Sequence, residues 1–304
     1  MSTINVLSLS GGKDSTAMAL LAIERETENM QAVFCDTGNE HPMTYDYVRY
    51  LSDALGIDIK WIKADLSEKI NAKRDRLIAD AAPQRRIDAM RPTGNPFLDL
   101  CILKGRFPAS QSRFCTIELK RDVIRSQVYE PILATGEDIE AWQGIRWDES
   151  KSRSCAVEHD FAFADEKTGA EVWNYRPILS WTAEDTFEIM RRHGIKPNPL
   201  YKLGMGRVGC MPCVNCRKSE LAEISARFPE VIDRIESWEK VVSDAGNRGE
   251  ATFFPWKGEN GALSKGIRSA VEWSKTDRGG RQFSLFDDWE ELPACSSAYG
   301  LCEI

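Results

Sequence analysis

The first sixty or so positions alternate short apolar runs with longer amphipathic ones. Val6-Leu7-Ser8-Leu9 reads as a strand, and Ala17-Met18-Ala19-Leu20-Leu21-Ala22-Ile23 opens a pattern that predicts a helix to about Glu28. Ala32-Val33-Phe34-Cys35 is a second apolar run, of the kind that suits a parallel strand buried on both faces. Residues 44–55 read as the next helix, and Ile57, Ile59 and Trp61 alternate with Asp58 and Lys60 as a third strand. Three strand–helix units in succession predict an α/β fold with a doubly wound parallel sheet.

Further on, residues 67–95 turn polar and read as a solvated helix and loop, and a strand is expected over residues 140–144. Thr182 is placed to cap a helix that ends near His193-Gly194, with Glu184 and Asp185 in its first turn. Helical stretches follow over residues 218–226 and 230–244. An irregular region then carries Phe253, Phe254, Trp256, Trp273, Phe283, Phe286 and Trp289. Its simplest use is a satellite core that packs a carboxy-terminal extension; stacking on single-stranded nucleic acid is the alternative. The organisation expected is a domain over residues 1–217 and a Cys-rich helical and irregular extension over residues 218–304.

The joint between the first strand and helix is Ser10-Gly11-Gly12-Lys13-Asp14-Ser15. Glycines let the backbone turn tightly and bring N–H groups close to a ligand, and the following helix aims its positive dipole end at the same point. Lys13 adds a point charge, and Ser10 and Ser15 add hydroxyl donors, so the predicted ligand is a chain of phosphates. Asp36-Thr37-Gly38 follows the second strand and should face the same crevice, because ligands of open α/β sheets sit beyond the carboxyl ends of strands.

Forty basic against forty-seven acidic residues give a net charge of −7, which excludes a global field drawing the chain to nucleic acid. Within it Lys104, Arg106, Arg113, Lys120, Arg121 and Arg125 concentrate positive charge suited to an anionic substrate. Arg146 and Arg153 are further candidates for anion contacts, with Glu149 orienting one of them. No apolar run near the start is long enough for a membrane span or signal peptide, so a cytoplasmic location and no membrane partner are expected. Nine cysteines in such a chain point to metal, cluster or sulfur chemistry. Cys210 and Cys213, three apart across a turn, are placed to aim two thiolates at one centre, and Cys216 would extend the pair. Cys302 and Cys295 are the expected completing ligands, with Cys115 as competitor, for an iron–sulfur cluster or a zinc ion.

Ser10-Gly11-Gly12-Lys13-Asp14-Ser15 resembles the pyrophosphate loop of the adenine-nucleotide α-hydrolase superfamily, which holds ATP pyrophosphatases and the adenylylsulfate and phosphoadenylylsulfate (PAPS) reductases. It lacks the Walker spacing. Asp36-Thr37-Gly38 with Pro42 and Thr44 is similar to the second motif of the reductase branch, and Gly144-x-Arg146-x-x-Glu149-Ser150-x-x-Arg153 to a strand-end motif of the reductase and sulfurtransferase branches. The segment with Cys115 and Lys120 resembles the place where adenylylsulfate reductases carry a cysteine pair before a basic residue that contacts nucleotide; one cysteine stands here. Pro177-Ile178, Trp181-Thr182, Asn198-Pro199-Leu200-Tyr201 and Gly209-Cys210-x-Pro212-Cys213 resemble the reductases closely.

The resemblance spans roughly residues 4–217. It implies ATP or an adenylylsulfate, with Mg²⁺, held by Ser10, Gly11, Gly12, Lys13, Asp14, Ser15, Asp36, Thr37, Gly38, Lys120, Gly144, Arg146, Glu149 and Arg153. It further implies catalytic roles for Lys13, Asp14 and Cys115, and a four-iron cluster at the cysteines. One function it implies is an ATP pyrophosphatase that adenylates an acceptor, tRNA or DNA, for sulfur transfer from a cysteine desulfurase. The other is an adenylylsulfate or PAPS reductase with a thioredoxin-like donor. The intact Gly-Gly-Lys-Asp and the absence of histidine after Cys302 depart from the reductase pattern and favour the first. A non-catalytic nucleotide-binding module with a structural metal site is the third reading.

Overall fold

The computed structural model describes residues 2–150, 153–255 and 266–276. Val6, Leu7 and Leu9 bury β1 (Thr3–Leu9), and Ala32, Val33 and Phe34 bury β2 (Met30–Asp36). With β3 (Ile59–Lys63), β4 (Asp138–Trp142), β5 (His159–Ala164) and β6 (Glu171–Tyr175) they form a sheet in the order β3-β2-β1-β4-β6-β5. Each of these pairings is parallel except β5 against β6. The winding reverses between β1 and β4, and that reversal opens a crevice at the carboxyl ends of the two strands. The doubly wound α/β fold expected from the sequence is thus present.

One face of the sheet, with Leu7, Leu9 and Phe34, is covered by α1 (Lys13–Glu24), α2 (Pro42–Leu55) and α9 (Ala183–Arg192) through Met18, Leu20, Val48, Leu51, Phe187 and Met190. The other face, with Val6, Val33, Ile62 and Ile139, packs on a long helical segment. That segment joins α6 (Phe114–Thr116), α7 (Asp122–Ile124) and α8 (Glu130–Leu133) through π-helical turns at Ile117–Arg121 and Arg125–Tyr129. A third core gathers α3 (Ser67–Ala79), α4 (Gln84–Ala89) and α5 (Pro96–Lys104) with α11 (Lys218–Arg227), α12 (Pro229–Ala245) and α13 (Ile267–Ser274). Ile70, Phe97, Leu100, Leu221, Ile235 and Ile267 fill it, so the helices after residue 217 share their apolar interior with residues 66–107. The short α10 (Pro199–Lys202) follows α9.

Several boundaries differ from the sequence reading. Helix α1 stops at Glu24, short of Glu28, because Glu26 and Asn29 take φ of 51° and 50°, a left-handed conformation that a helix cannot continue through. Strand β3 starts at Ile59 because Gly56 (φ 64°) ends α2 and the Ile57 N–H turns back to Ser52 O. The polar stretch 67–95 holds α3 and α4, anchored by buried Ile70 and Leu77. The β5–β6 hairpin was not anticipated; β5 lies at the sheet edge, where exposed side chains leave no clean alternation to read. Among the described residues no helix is long and apolar enough to cross a membrane. The tail with Cys295 and Cys302, and Trp256, Phe283, Phe286 and Trp289, lie outside the described residues.

Candidate active site at the switch point

Ser10, Gly11 and Gly12 carry the chain from β1 into α1, at the switch point. Gly11 has φ 73°, and a Cβ there would stand 3.0 Å from Thr44 Cγ2, so the turn admits no side chain. The Ser15 hydroxyl accepts the Ser10 N–H at 3.1 Å and donates to Gly12 O at 3.0 Å, bracing the loop from within. Two residues of the Asn-Pro-Leu-Tyr motif brace it from outside. Buried Asn198 donates Nδ2–H to Gly11 O at 3.1 Å, and the Lys13 N–H donates to the Tyr201 hydroxyl at 2.8 Å.

A row of alternating charges leads away from the loop. Lys13 Nζ lies 3.6 Å from Asp14 Oδ2, and Asp14 Oδ1 accepts from Arg146 Nε at 2.5 Å. Arg146 is fully buried and its guanidinium also pairs with Asp148. The Arg146 backbone N–H donates to Glu149 Oε2 at 3.1 Å, and Glu149 pairs with Arg153. Both arginines expected to meet an anion are therefore engaged by carboxylates in this structure. A Cβ on Gly144 would stand 3.0 Å from the backbone of Asp14 and Ser15, so this glycine lets the end of β4 press against the start of α1.

Beyond β2, Asp36 Oδ1 accepts from the Gly38 N–H at 2.9 Å and from the Tyr45 hydroxyl at 2.8 Å. Thr37 donates its N–H and hydroxyl to Glu40 at 3.1 and 2.7 Å. Glu40, almost wholly buried, pairs backbone to backbone with Cys210, and the Cys210 thiol reaches Glu40 Oε1 at 3.6 Å and Thr37 Oγ1 at 3.4 Å. The thiol turn is thereby stitched to the loop after β2.

Other thiols stand near it. Burial pushes the Cys210 thiol up to about 12, with Glu40 adding and Lys120 opposing. Burial pushes Cys35 up to about 12 as well, and burial, then Cys213, raises Cys115. Lys120 turns inward, and its ammonium is held well above the ordinary range by Cys210 first, then by Glu40, Cys35 and Cys213, against the opposing effect of burial. The other basic residues of that segment lie outward; Lys104 pairs with Glu118, Arg121 with Asp122, and Arg125 with Glu130. Among the described residues no three His, Cys, Asp or Glu side chains stand close enough to hold a metal ion. The donor set of Cys115, Cys210 and Cys213 suits a soft, thiolate-bound centre in its chemistry.

The phosphoadenosine phosphosulfate reductase domain model matches residues 4–216, the sheet, the loop and the thiol turn together. The chain belongs to that family. Its family domain is an adenine-nucleotide-binding domain of the PAPS reductase type, and the family is enzymatic. Among relatives, an "Uncharacterized 37.8 kDa protein in gpa 5'region" of Escherichia phage 186 is 44% identical over 99% of this chain and 97% of its own length. An adenosine 5'-phosphosulfate reductase of Neisseria meningitidis serogroup B is 29% identical, over 46% of this chain and 53% of its own. Among solved structures, PAPS reductase from Candida auris in a phosphate complex aligns at 16% identity and a TM-score of 0.42, covering 69% of this chain and 82% of that one.

The structure adds residues to the candidate site that sequence reasoning did not single out. Asn198 and Tyr201 stood in a motif already quoted, without a role; their grip on Gly11 and Lys13 supplies one. Glu40 and Asn39 carried no signal beyond lying just after Asp36-Thr37-Gly38.

Proposed function

We propose that the chain cleaves ATP between its α and β phosphates at the Ser10–Ser15 loop, forming an adenylated acceptor and pyrophosphate, and that a sulfur nucleophile then attacks the acceptor and displaces AMP, so that sulfur takes the place of the activated oxygen. The observation that carries this reading is the loop itself: a complete Ser-Gly-Gly-Lys-Asp-Ser turn at the switch point, held by Asn198 and Tyr201. An acceptor oxygen attacks the α-phosphorus, the bond to the oxygen bridging the α and β phosphates breaks, and pyrophosphate leaves; a Mg²⁺ ion bound with the nucleotide would supply further neutralisation of its charge. The loop N–H groups other than those of Ser10 and Lys13, which Ser15 and Tyr201 already take, the dipole of α1 and the Lys13 ammonium would stabilise the charge that develops on the pyrophosphate. Asp14, between Lys13 and Arg146, keeps the ammonium aimed at the loop. The same segment that braces the loop runs on to the thiols, since Val208 O would stand 3.4 Å from a Cβ on Gly12 and Cys210 lies two residues later.

Cys210 and Cys213 would hold a thiolate-bound metal centre, completed by Cys295 and Cys302 of the tail or by Cys115, which would have to move closer, since no three such donors stand together among the described residues. Such a centre supplies a place for sulfur to be bound or passed on. Lys120 offsets the negative charge gathered there. The second reading is reduction of an adenylylsulfate, in which a thiolate attacks the sulfate sulfur, displaces the adenylate and forms an S-sulfonate, from which a thioredoxin-like dithiol releases sulfite as it is oxidised to a disulfide; the kinship with the Neisseria reductase favours it.

One experiment separates the two. The full-length protein is incubated anaerobically with labelled ATP or with adenylylsulfate and PAPS, with tRNA, DNA or no acceptor. The first reading expects pyrophosphate from ATP and no sulfite; sulfite from an adenylylsulfate without ATP cleavage would establish the reductase. Neither product under any condition would leave a nucleotide-binding module.

A further inference from the structure

Helix α12 lies in the extension after residue 217, yet one of its side chains reaches into the site. Arg234 donates from one terminal nitrogen to Asn39 Oδ1 at 3.0 Å and to Met211 O at 2.5 Å. Asn39 is fully buried and closes the figure: its O accepts the Met211 N–H at 2.8 Å, and its Nδ2–H donates to Pro212 O at 3.0 Å. Met211 and Pro212 are the two residues between Cys210 and Cys213. The guanidinium also lies over the Trp238 ring, 4.9 Å from its centroid, which fixes its plane.

From this geometry we infer that Arg234 is a positioning residue for the thiol turn, tying Cys210 and Cys213 to the loop after β2 through Asn39. Three features support it. The contacts fall on the backbone between the two cysteines, where they set the direction of both thiols. A planar guanidinium stacked on Trp238 holds the donating nitrogen in one fixed direction toward both acceptors, whereas an ammonium on a flexible stem would have no such fixed orientation. Desolvating a guanidinium is expensive, so its partly buried place argues that the contacts it makes there, to Asn39 Oδ1, Met211 O and the Trp238 ring, offset that cost. The extension thus acts as a splint for the nucleotide domain's thiols.

The inference extends the proposed sulfur chemistry but rests on no metal or turnover, so its test is independent of both. Full-length protein is stripped of metal by a chelator, and alkylation of each cysteine by iodoacetamide is followed by mass spectrometry. Arg234→Met should speed modification of Cys210 and Cys213 about tenfold or more, the factor expected when about 1.4 kcal/mol of local restraint is lost. Cys35 in β2 and Cys101 in α5 should keep their rates, and Arg234→Lys should fall between parent and Met variant. Asn39→Ala should speed the same two thiols, and the double variant should add little to either single change. Equal acceleration at Cys35 and Cys101 would mean general loosening and would overturn the assignment. So would unchanged rates at Cys210 and Cys213. Failure of ATP cleavage or of metal loading in the parent would refute the proposed function while leaving these rate ratios to decide on Arg234.

Discussion

Lys13 is a nearly buried ammonium at the first position of a helix, where the helix dipole repels a cation. Only a strong neighbour justifies that placement; Asp14 stands 3.6 Å away and the Tyr201 ring lies under the ammonium. On the proposed reading, an anion at the loop would relieve that unfavourable placement. Lys13→Ala should therefore cut ATP–pyrophosphate exchange by about 10²-fold or more, while the melting temperature stays within a few degrees, as ~1 kcal/mol implies for a domain of this size. Unchanged exchange would take Lys13 out of the reaction. At this scale the loop was legible because glycines and a lysine in fixed order have few other uses. The partners of Arg146 were not legible: Asp14 and Asp148 reach it from 132 and 2 positions away, and nothing local distinguishes a buried arginine from a solvated one.

Elements meet at the site through close backbone approach. Gly144 follows β4 and presses on the first turn of α1, where the three atoms nearest to it, Asp14 C and O and Ser15 N, are backbone and cannot swing aside. Gly144→Ala should destabilise the fold by about 1–3 kcal/mol in urea titrations and weaken nucleotide binding in the same protein, because the strain falls on the turn that carries Lys13 and Ser15. A variant that loses neither would show that the two elements part without consequence. The parallel strands β1 and β2 were readable because burial on both faces writes an unbroken apolar run. The hairpin β5–β6 escaped because an edge strand writes no pattern.

At the scale of the whole molecule the extension is part of the interior, and Glu239 of α12 shows how it is held. Its carboxylate, nearly buried, accepts from the Phe253 N–H at 2.7 Å, the Thr252 hydroxyl at 3.0 Å and the Ile267 N–H at 2.8 Å, tying α13 and residues 252–253 to α12. None of this was legible, since the spacing between Glu239 and its partners follows no helical or strand period. Burial raises the Glu239 carboxyl above its ordinary range, more than the three donors lower it. A carboxyl raised by folding binds its proton more tightly in the folded chain than in the unfolded one. Its contribution is therefore complete below the ordinary carboxyl range, at about pH 4, and is lost as pH rises through the raised value. Glu239→Gln has no proton to lose, so the gap in urea stability between parent and variant should change steadily as pH climbs from about 4 to about 7, with the parent losing ground relative to the variant. A gap that stays constant across that range would mean that Glu239 keeps the same protonation folded and unfolded, and that the donors around it balance its burial.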